Sequence, residues 1–185
     1  TTARLVEDLQ QNLLATNPGK VTDAEIQEWV YGAGIPATAP KVESRRFITV
    51  DAARIAWTGS GMLPTQSITG AWSTQEWVRF LEGMPDALKP EQLRQLDEAY
   101  TLTGTPNGEI AQRWYPLAER SGYTEARAEM GMFLERVGRR KLIMPTYKAL
   151  VETDGGLAFA QHVFAKAKPG YHPITTGSVQ AVIDE

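Results

Sequence analysis

Three cations in a row, Arg139, Arg140 and Lys141, follow Gly138 in the stretch RVGRRKLIMPTYKAL, residues 136–150. Their types and spacing point to one chemistry, the capture of an anion. A guanidinium presents a planar fork that matches a carboxylate through two parallel hydrogen bonds, and an ammonium adds a mobile point charge. Gly138 and Pro145 predict a joint outside regular helix, where a residue and its second neighbour can face the same side. Within a helix the two would diverge by roughly 200°. The plainer alternative is a helix closed by Gly138, with the cations decorating its exit and each gaining from a few tenths to about 1 kcal/mol at the negative pole. From spacing alone that solvated helix end is the commoner arrangement.

Other chemistry is scarce. The 185 residues include no cysteine, which excludes disulfides, thiolate nucleophiles and Cys-rich zinc modules. His162 and His172 stand in no metal-ligand spacing. His162, among Phe159, Val163 and Phe164, reads as a helix-edge residue, and His172 before Pro173 as the start of the last segment. The GAG and GSG turns lack the strand–glycine–helix setting of a dinucleotide site, and neither a P-loop nor a G-x-S-x-G elbow occurs. The carboxylates fall mostly on polar helix faces, and the five tryptophans and six tyrosines read as packing residues. No catalytic residue and no metal ligand is expected in this chain.

The elements that must hold the cations are helical almost throughout. Leu5, Val6, Leu9 and Leu13 share one face of a first helix that ends in TNPGK. Thr22 and Glu25 form a capping box that opens the next. YGAGIPATAPK, with two glycines and two prolines, predicts a linker. Beyond it, Arg46 to Trp57 predicts a helix burying Phe47, Val50, Ile55 and Trp57, and GSGMLPTQSITG predicts a loop. Ser73 with Glu76 makes a second capping box, and Pro90 suits a first helical position. NGEIAQRWYPLAERSG and YTEARAEMGMFLERVG predict helices closed by left-handed glycines. MPTYKALVET, GLAFAQHVFAKAK and HPITTGSVQAVIDE complete the set. Only RFITV has strand-like composition. Short helices joined by short turns predict an all-α fold, a two-layer α-α superhelix in the manner of HEAT or armadillo solenoids, although no repeat of 33 or 34 residues is evident.

Nineteen basic against 22 acidic residues argue against nucleic-acid and polybasic membrane partners, and no apolar run approaches the roughly 20 residues of a membrane span. The amphipathic N-terminus lacks the apolar core of a signal peptide. It also lacks an initiating methionine, so a piece of a longer protein is expected.

Four segments in register carry a resemblance. WVYGAGIPATAP, NGEIAQRWYPL, GRRKLIMPTYKAL and HPIT resemble, in order and spacing, the W-[LV]-x-x-x-G-[IL]-P linker, the N-x-E-[IV]-x-x-R-W segment, the G-R-x-K-[FL]-x-x-P-[LT]-[FY] segment and the terminal H-P-[IV]-T of the leukotriene A4 hydrolase branch of the zinc aminopeptidases. The resemblance implies that residues 1–31 end a catalytic domain, 32–43 link it, and 44–185 form the C-terminal helical superhelix. It implies zinc in the parent enzyme and no cofactor here, with partners in the catalytic domain of the same polypeptide and in short peptide substrates. It gives Arg139 and Lys141 the carboxyl end of the peptide to bind. Arg140 replaces a residue that is apolar in the animal enzymes, and which of the two arginines faces the cleft stays open. Epoxide hydrolysis is implied for the animal branch alone. A free-standing helical-repeat interaction module is the competing reading, and the compartment, cytoplasmic or periplasmic, stays open.

Overall fold

The computed structural model describes residues 1–184 and divides the chain into two compact units, Thr1–Glu43 and Ser44–Glu185. In the first unit, α1 (Thr2–Asp8) runs on into a π-helical turn, Leu9–Leu14. α2 (Asp23–Tyr31) opens on the expected capping box: the Thr22 hydroxyl accepts from the Glu25 N–H at 3.2 Å, and the Thr22 N–H donates to the Glu25 carboxylate at 2.8 Å. The expected apolar row is only partly buried. Val6 is covered, whereas Leu5 and Leu13 are 65% and 55% exposed. The wider π turn breaks the three-and-four spacing after Asp8, and the second helix adds only Ile26 to the interior. Residues 32–43 form no helix or strand.

The second unit begins with α3 (Arg45–Ser60), whose Ser44 cap accepts the Phe47 N–H. Val50 and Trp57, two turns apart, face the core. Phe47 and Ile55 lie off that line and are 36% and 61% exposed, contrary to expectation. RFITV lies wholly in helix, where the local pattern outweighs strand propensity. The expected loop contains one helical turn, α4 (Gln66–Thr69). In α5 (Thr74–Glu82) the Ser73 N–H and hydroxyl both donate to the Glu76 carboxylate, at 2.8 and 2.7 Å. Arg46 reaches across from α3 to make a two-pronged pair with it, at 2.9 and 2.7 Å. These donors, the Ser73 N–H foremost, lower the Glu76 pKa to about 2.

Pro90 occupies the first position of α6 (Pro90–Tyr100), where a missing N–H leaves no bond unmade. α7 (Gly108–Arg120) ends in a Schellman turn: Gly122 takes φ +67°, the Tyr123 N–H donates to the Ala118 carbonyl and the Gly122 N–H to that of Glu119. α8 (Arg127–Arg136), α9 (Arg140–Val151), α10 (Gly156–Ala167) and α11 (Pro173–Asp184) follow. α3, α5, α7, α9 and α11 pack side by side in chain order as one row, and α8 and α10 pack on each other and against that row. The product is an α-helical superhelix of two layers. Its core runs continuously from Val50 and Trp57 through Trp114, Met130 and Tyr147 to Val179. Among the described residues there is no strand, and no helix is long and apolar enough to cross a membrane.

Candidate functional site

The chain leaves α8 at Arg136, passes through Val137, Gly138 and Arg139 in extended or irregular conformation, and enters α9 at Arg140. The non-helical joint is therefore shorter than the sequence suggests. Gly138 does not adopt the left-handed cap conformation, and Val137 (φ −106°, ψ 106°) ends α8 instead. Pro145 lies inside α9, where it removes the N–H that would have bonded the Lys141 carbonyl without stopping the helix. Arg139 is the N-cap of α9, and Arg140 and Lys141 are its first two residues. The cations thus stand at the positive pole of a helix, not the negative one. Here the dipole of α9 opposes each of them by roughly 0.3–1 kcal/mol, so a gain at a negative helix pole is not what favours them at this position.

Three segments distant in sequence hold this joint. From the stretch preceding α11, the buried Tyr171 hydroxyl donates to the Leu134 carbonyl at 2.6 Å, satisfying one of the orphan acceptors at the end of α8. The Tyr147 hydroxyl lies 3.2 Å from that of Tyr171, and burial pushes both phenols above their usual pKa. In the first turn of α11, Thr175 donates to the Gly138 carbonyl at 3.3 Å. From α7, Asn107 accepts the Glu109 N–H at 3.0 Å while its amide donates to the Thr74 hydroxyl at 2.9 Å. Glu109 then receives Lys141 on both oxygens, at 3.0 and 3.2 Å, and Arg113 at 2.8 Å. Those donors, Lys141 first, hold the Glu109 carboxyl below the usual range. Arg113 also pairs with Glu82 at 2.7 and 2.9 Å, tying α5, α7 and α9 together.

The three cations are all exposed, yet their surroundings differ. Lys141 borders a groove of about 480 Å³ lined by Phe47, Thr74, Val78, Arg79 and Glu109. On its other side Lys141 also borders a furrow of about 480 Å³ that follows α9, with Arg120, Arg140, Met144, Lys148 and Glu152. The Nε of Arg140 donates to the Ser178 hydroxyl at 2.7 Å. Arg139 borders neither groove, and its side chain has no hydrogen-bond or ion-pair partner among the described residues. The structure therefore brings Arg140 and Lys141 to one furrow and leaves Arg139 beside it with its donors uncommitted.

Sequence reasoning gave no role to Glu109, Arg113, Tyr171 or Thr175, although the first two are fixed positions of the N-x-E-[IV]-x-x-R-W segment and Thr175 of H-P-[IV]-T. The four-residue spacing of Glu109 and Arg113 signals a helical ion pair, but Lys141, the third member, lies 32 residues on. Exposed His162 sits on α10, and the Nδ1 of His172 accepts the Ile174 N–H at the start of α11. No group of three or more metal-ligating side chains occurs among the described residues.

With this geometry in hand, the likeness to known proteins is informative. The leukotriene A4 hydrolase C-terminal family model matches residues 72–183. A leucine aminopeptidase 2 of Ajellomyces capsulatus is 28% identical over 166 residues, covering 86% of this chain and 26% of the relative. That of Neurospora crassa is 30% identical over 127 residues, covering 67% and 19%. A leukotriene A-4 hydrolase homolog of Botryotinia fuckeliana is 27% identical over 160 residues, covering 85% and 24%. The chain thus spans about a quarter of the length of the curated relatives it matches. The native yeast LTA4 hydrolase structure shares the fold, with a TM-score of 0.74 at 19% identity over 97% of this chain and 32% of that one. Since the family match takes in α5 to α11, the joint and every segment that braces it, the chain belongs to the leukotriene A4 hydrolase C-terminal family.

Proposed function

We propose that residues 44–185 form the non-catalytic C-terminal domain of a zinc aminopeptidase, where they close the active-site cleft and hold the carboxylate of a short peptide. Residues 1–31 then end the catalytic domain and 32–43 join the two. The observation that carries the reading is the placement of Arg139, Arg140 and Lys141 at the N-terminus of α9. Cations there work against folding, while the same pole, with its unpaired N–H groups, favours a bound anion. Arg139 offers a two-pronged donor with no competing acidic partner among the described residues. Lys141 is aimed by Glu109, and its third N–H remains for a substrate oxygen.

In this reading the zinc, its ligands and the general base belong to the catalytic domain, and zinc there would activate the attacking water. The residues of this chain bind and orient. A peptide held at its carboxyl end by Arg139 and Lys141 has a limited span to offer the catalytic centre, so the anchor selects for short substrates with a free carboxyl group. A free-standing interaction module is the weaker reading, because the relatives named aminopeptidase contain this region as about a quarter of a longer chain.

The test uses the full-length enzyme with one tripeptide, as free acid and as C-terminal amide. Wild type should favour the acid. Arg139→Ala should lower kcat/KM for the acid by about one to two decades, the loss of a charge-assisted hydrogen bond, and barely touch the amide. Lys141→Ala should cost less, because an ammonium is a less directional partner. Equal damage to both substrates would refute carboxylate recognition. Loss of discrimination on Arg140→Ala with Arg139→Ala silent would shift the role to Arg140.

A further inference from the structure

The furrow along α9 is unusually basic. Four of its side chains, Arg120, Arg140, Lys141 and Lys148, are cations against one acid, Glu152, in a chain whose net charge is −3. Elsewhere the arginines that hold the fold are neutralised by carboxylates: Arg46 by Glu76, Arg79 by Asp51, Arg127 by Glu119. In the furrow, among the described residues, only Lys141 has such a partner, Glu109. Arg120 donates to the Asp86 carbonyl and Arg140 to the Ser178 hydroxyl, both neutral acceptors. Arg140 is thereby fixed through its Nε while its terminal nitrogens stay open, the arrangement of a donor held ready. The low potential energy such a site offers an anion is greatest beside Arg140 and Lys141, where the helix pole adds to the two charges.

Resting on the reading above, we propose that this furrow binds an acidic side chain on the last residue of the peptide, so that the enzyme prefers substrates ending in Asp or Glu, with Arg140 setting the preference. Lys141 borders both the groove and the furrow, so a carboxylate held there places the last side chain at the mouth of the furrow. Arg140, held through its Nε by Ser178, meets it with its terminal nitrogens. Because Arg140 is exposed, the effect is expected to be modest, roughly three- to tenfold in kcat/KM.

The experiment compares Leu-Ala-Asp with Leu-Ala-Asn, each as free acid and amide, on the full-length wild type and on Arg140→Met and Arg140→Lys. Wild type should favour Asp, and more strongly at low salt than at high. Arg140→Met should erase the Asp preference yet keep the acid-over-amide preference, and Arg140→Lys should keep part of the first and all of the second. Equal rates for Asp and Asn peptides in wild type, or an Asp preference that survives Arg140→Met, overturns the inference and leaves the anchor standing. Loss of acid-over-amide discrimination already in wild type overturns the anchor and this inference with it.

Discussion

Removing a single oxygen from Tyr171 tests how the cationic joint is held. The Tyr171 hydroxyl is the donor to the Leu134 carbonyl, and it accepts from the Tyr147 hydroxyl, because its own proton is already committed. Tyr147 and Leu134 are fully buried and Tyr171 is 8% exposed, so water cannot replace what is lost. Tyr171→Phe strands two buried polar groups, each worth about 1–3 kcal/mol, for a total near 3 kcal/mol. Tyr147→Phe removes one donor and strands nothing, because Tyr171 can still reach Leu134, and should cost about 1 kcal/mol or less. The double variant no longer contains the stranded Tyr147 hydroxyl and should be more stable than Tyr171→Phe alone, a coupling opposite in sign to simple addition. For a domain of this size roughly 2–4 °C accompanies each kcal/mol, so thermal melts followed by circular dichroism should show Tyr171→Phe about 6–12 °C below wild type. Equal losses for the two single variants, or additive losses in the double, would refute the assignment of Tyr171 as the cap of α8.

Other consequences are equally open to measurement. Arg127→Met strips the buried Glu119 carboxylate, 3% exposed, of its two-pronged partner at 2.6 and 3.0 Å and leaves it the Thr153 hydroxyl; urea unfolding should register a loss of about 3 kcal/mol. Glu76 has its folded pKa lowered from 4.5 to about 2, so its contribution to stability is complete above pH 4.5 and is lost as the pH falls through about 2; melting temperatures of wild type should decline across that window more than those of Glu76→Gln. Limited proteolysis should cut first within residues 32–43, which form no helix or strand, and leave Ser44 onward intact; early cutting between 137 and 141 would show the joint to be too mobile to pre-orient a ligand.

The helices were legible in the sequence because capping boxes, Pro90 and Gly122 act locally, and each performs in the structure the role its spacing announced. Burial was less legible. Val50 and Trp57 could not be told from Phe47 and Ile55 by hydrophobicity, since the difference lies in which line of α3 the row of neighbouring helices covers. The joint was misjudged in extent for a related reason. Pro145 reads as a breaker, yet it sits one turn into α9, where the helix sacrifices a single bond and continues. The three cations were visible at once, but their electrostatic setting depends on which end of which helix they occupy. Glu109, Tyr171 and Thr175, which fix that setting, are separated from their partners by more than 30 residues, beyond any periodicity.

That separation sets an order of events during synthesis. The bonds from Tyr171 to Leu134 and from Thr175 to Gly138 each bridge 37 residues. A ribosome adding roughly 5–20 residues per second emits the cations about two to seven seconds before Tyr171 and Thr175, which brace their joint. α7 has already emerged by then, so Glu109 is present to meet Lys141 as soon as α9 forms. The cationic joint is consequently braced only after α8, α9 and α10 have been made. A polypeptide that loses α11 keeps every charge of the joint and the Tyr171 bond, but loses Thr175 on Gly138 and Ser178 on Arg140.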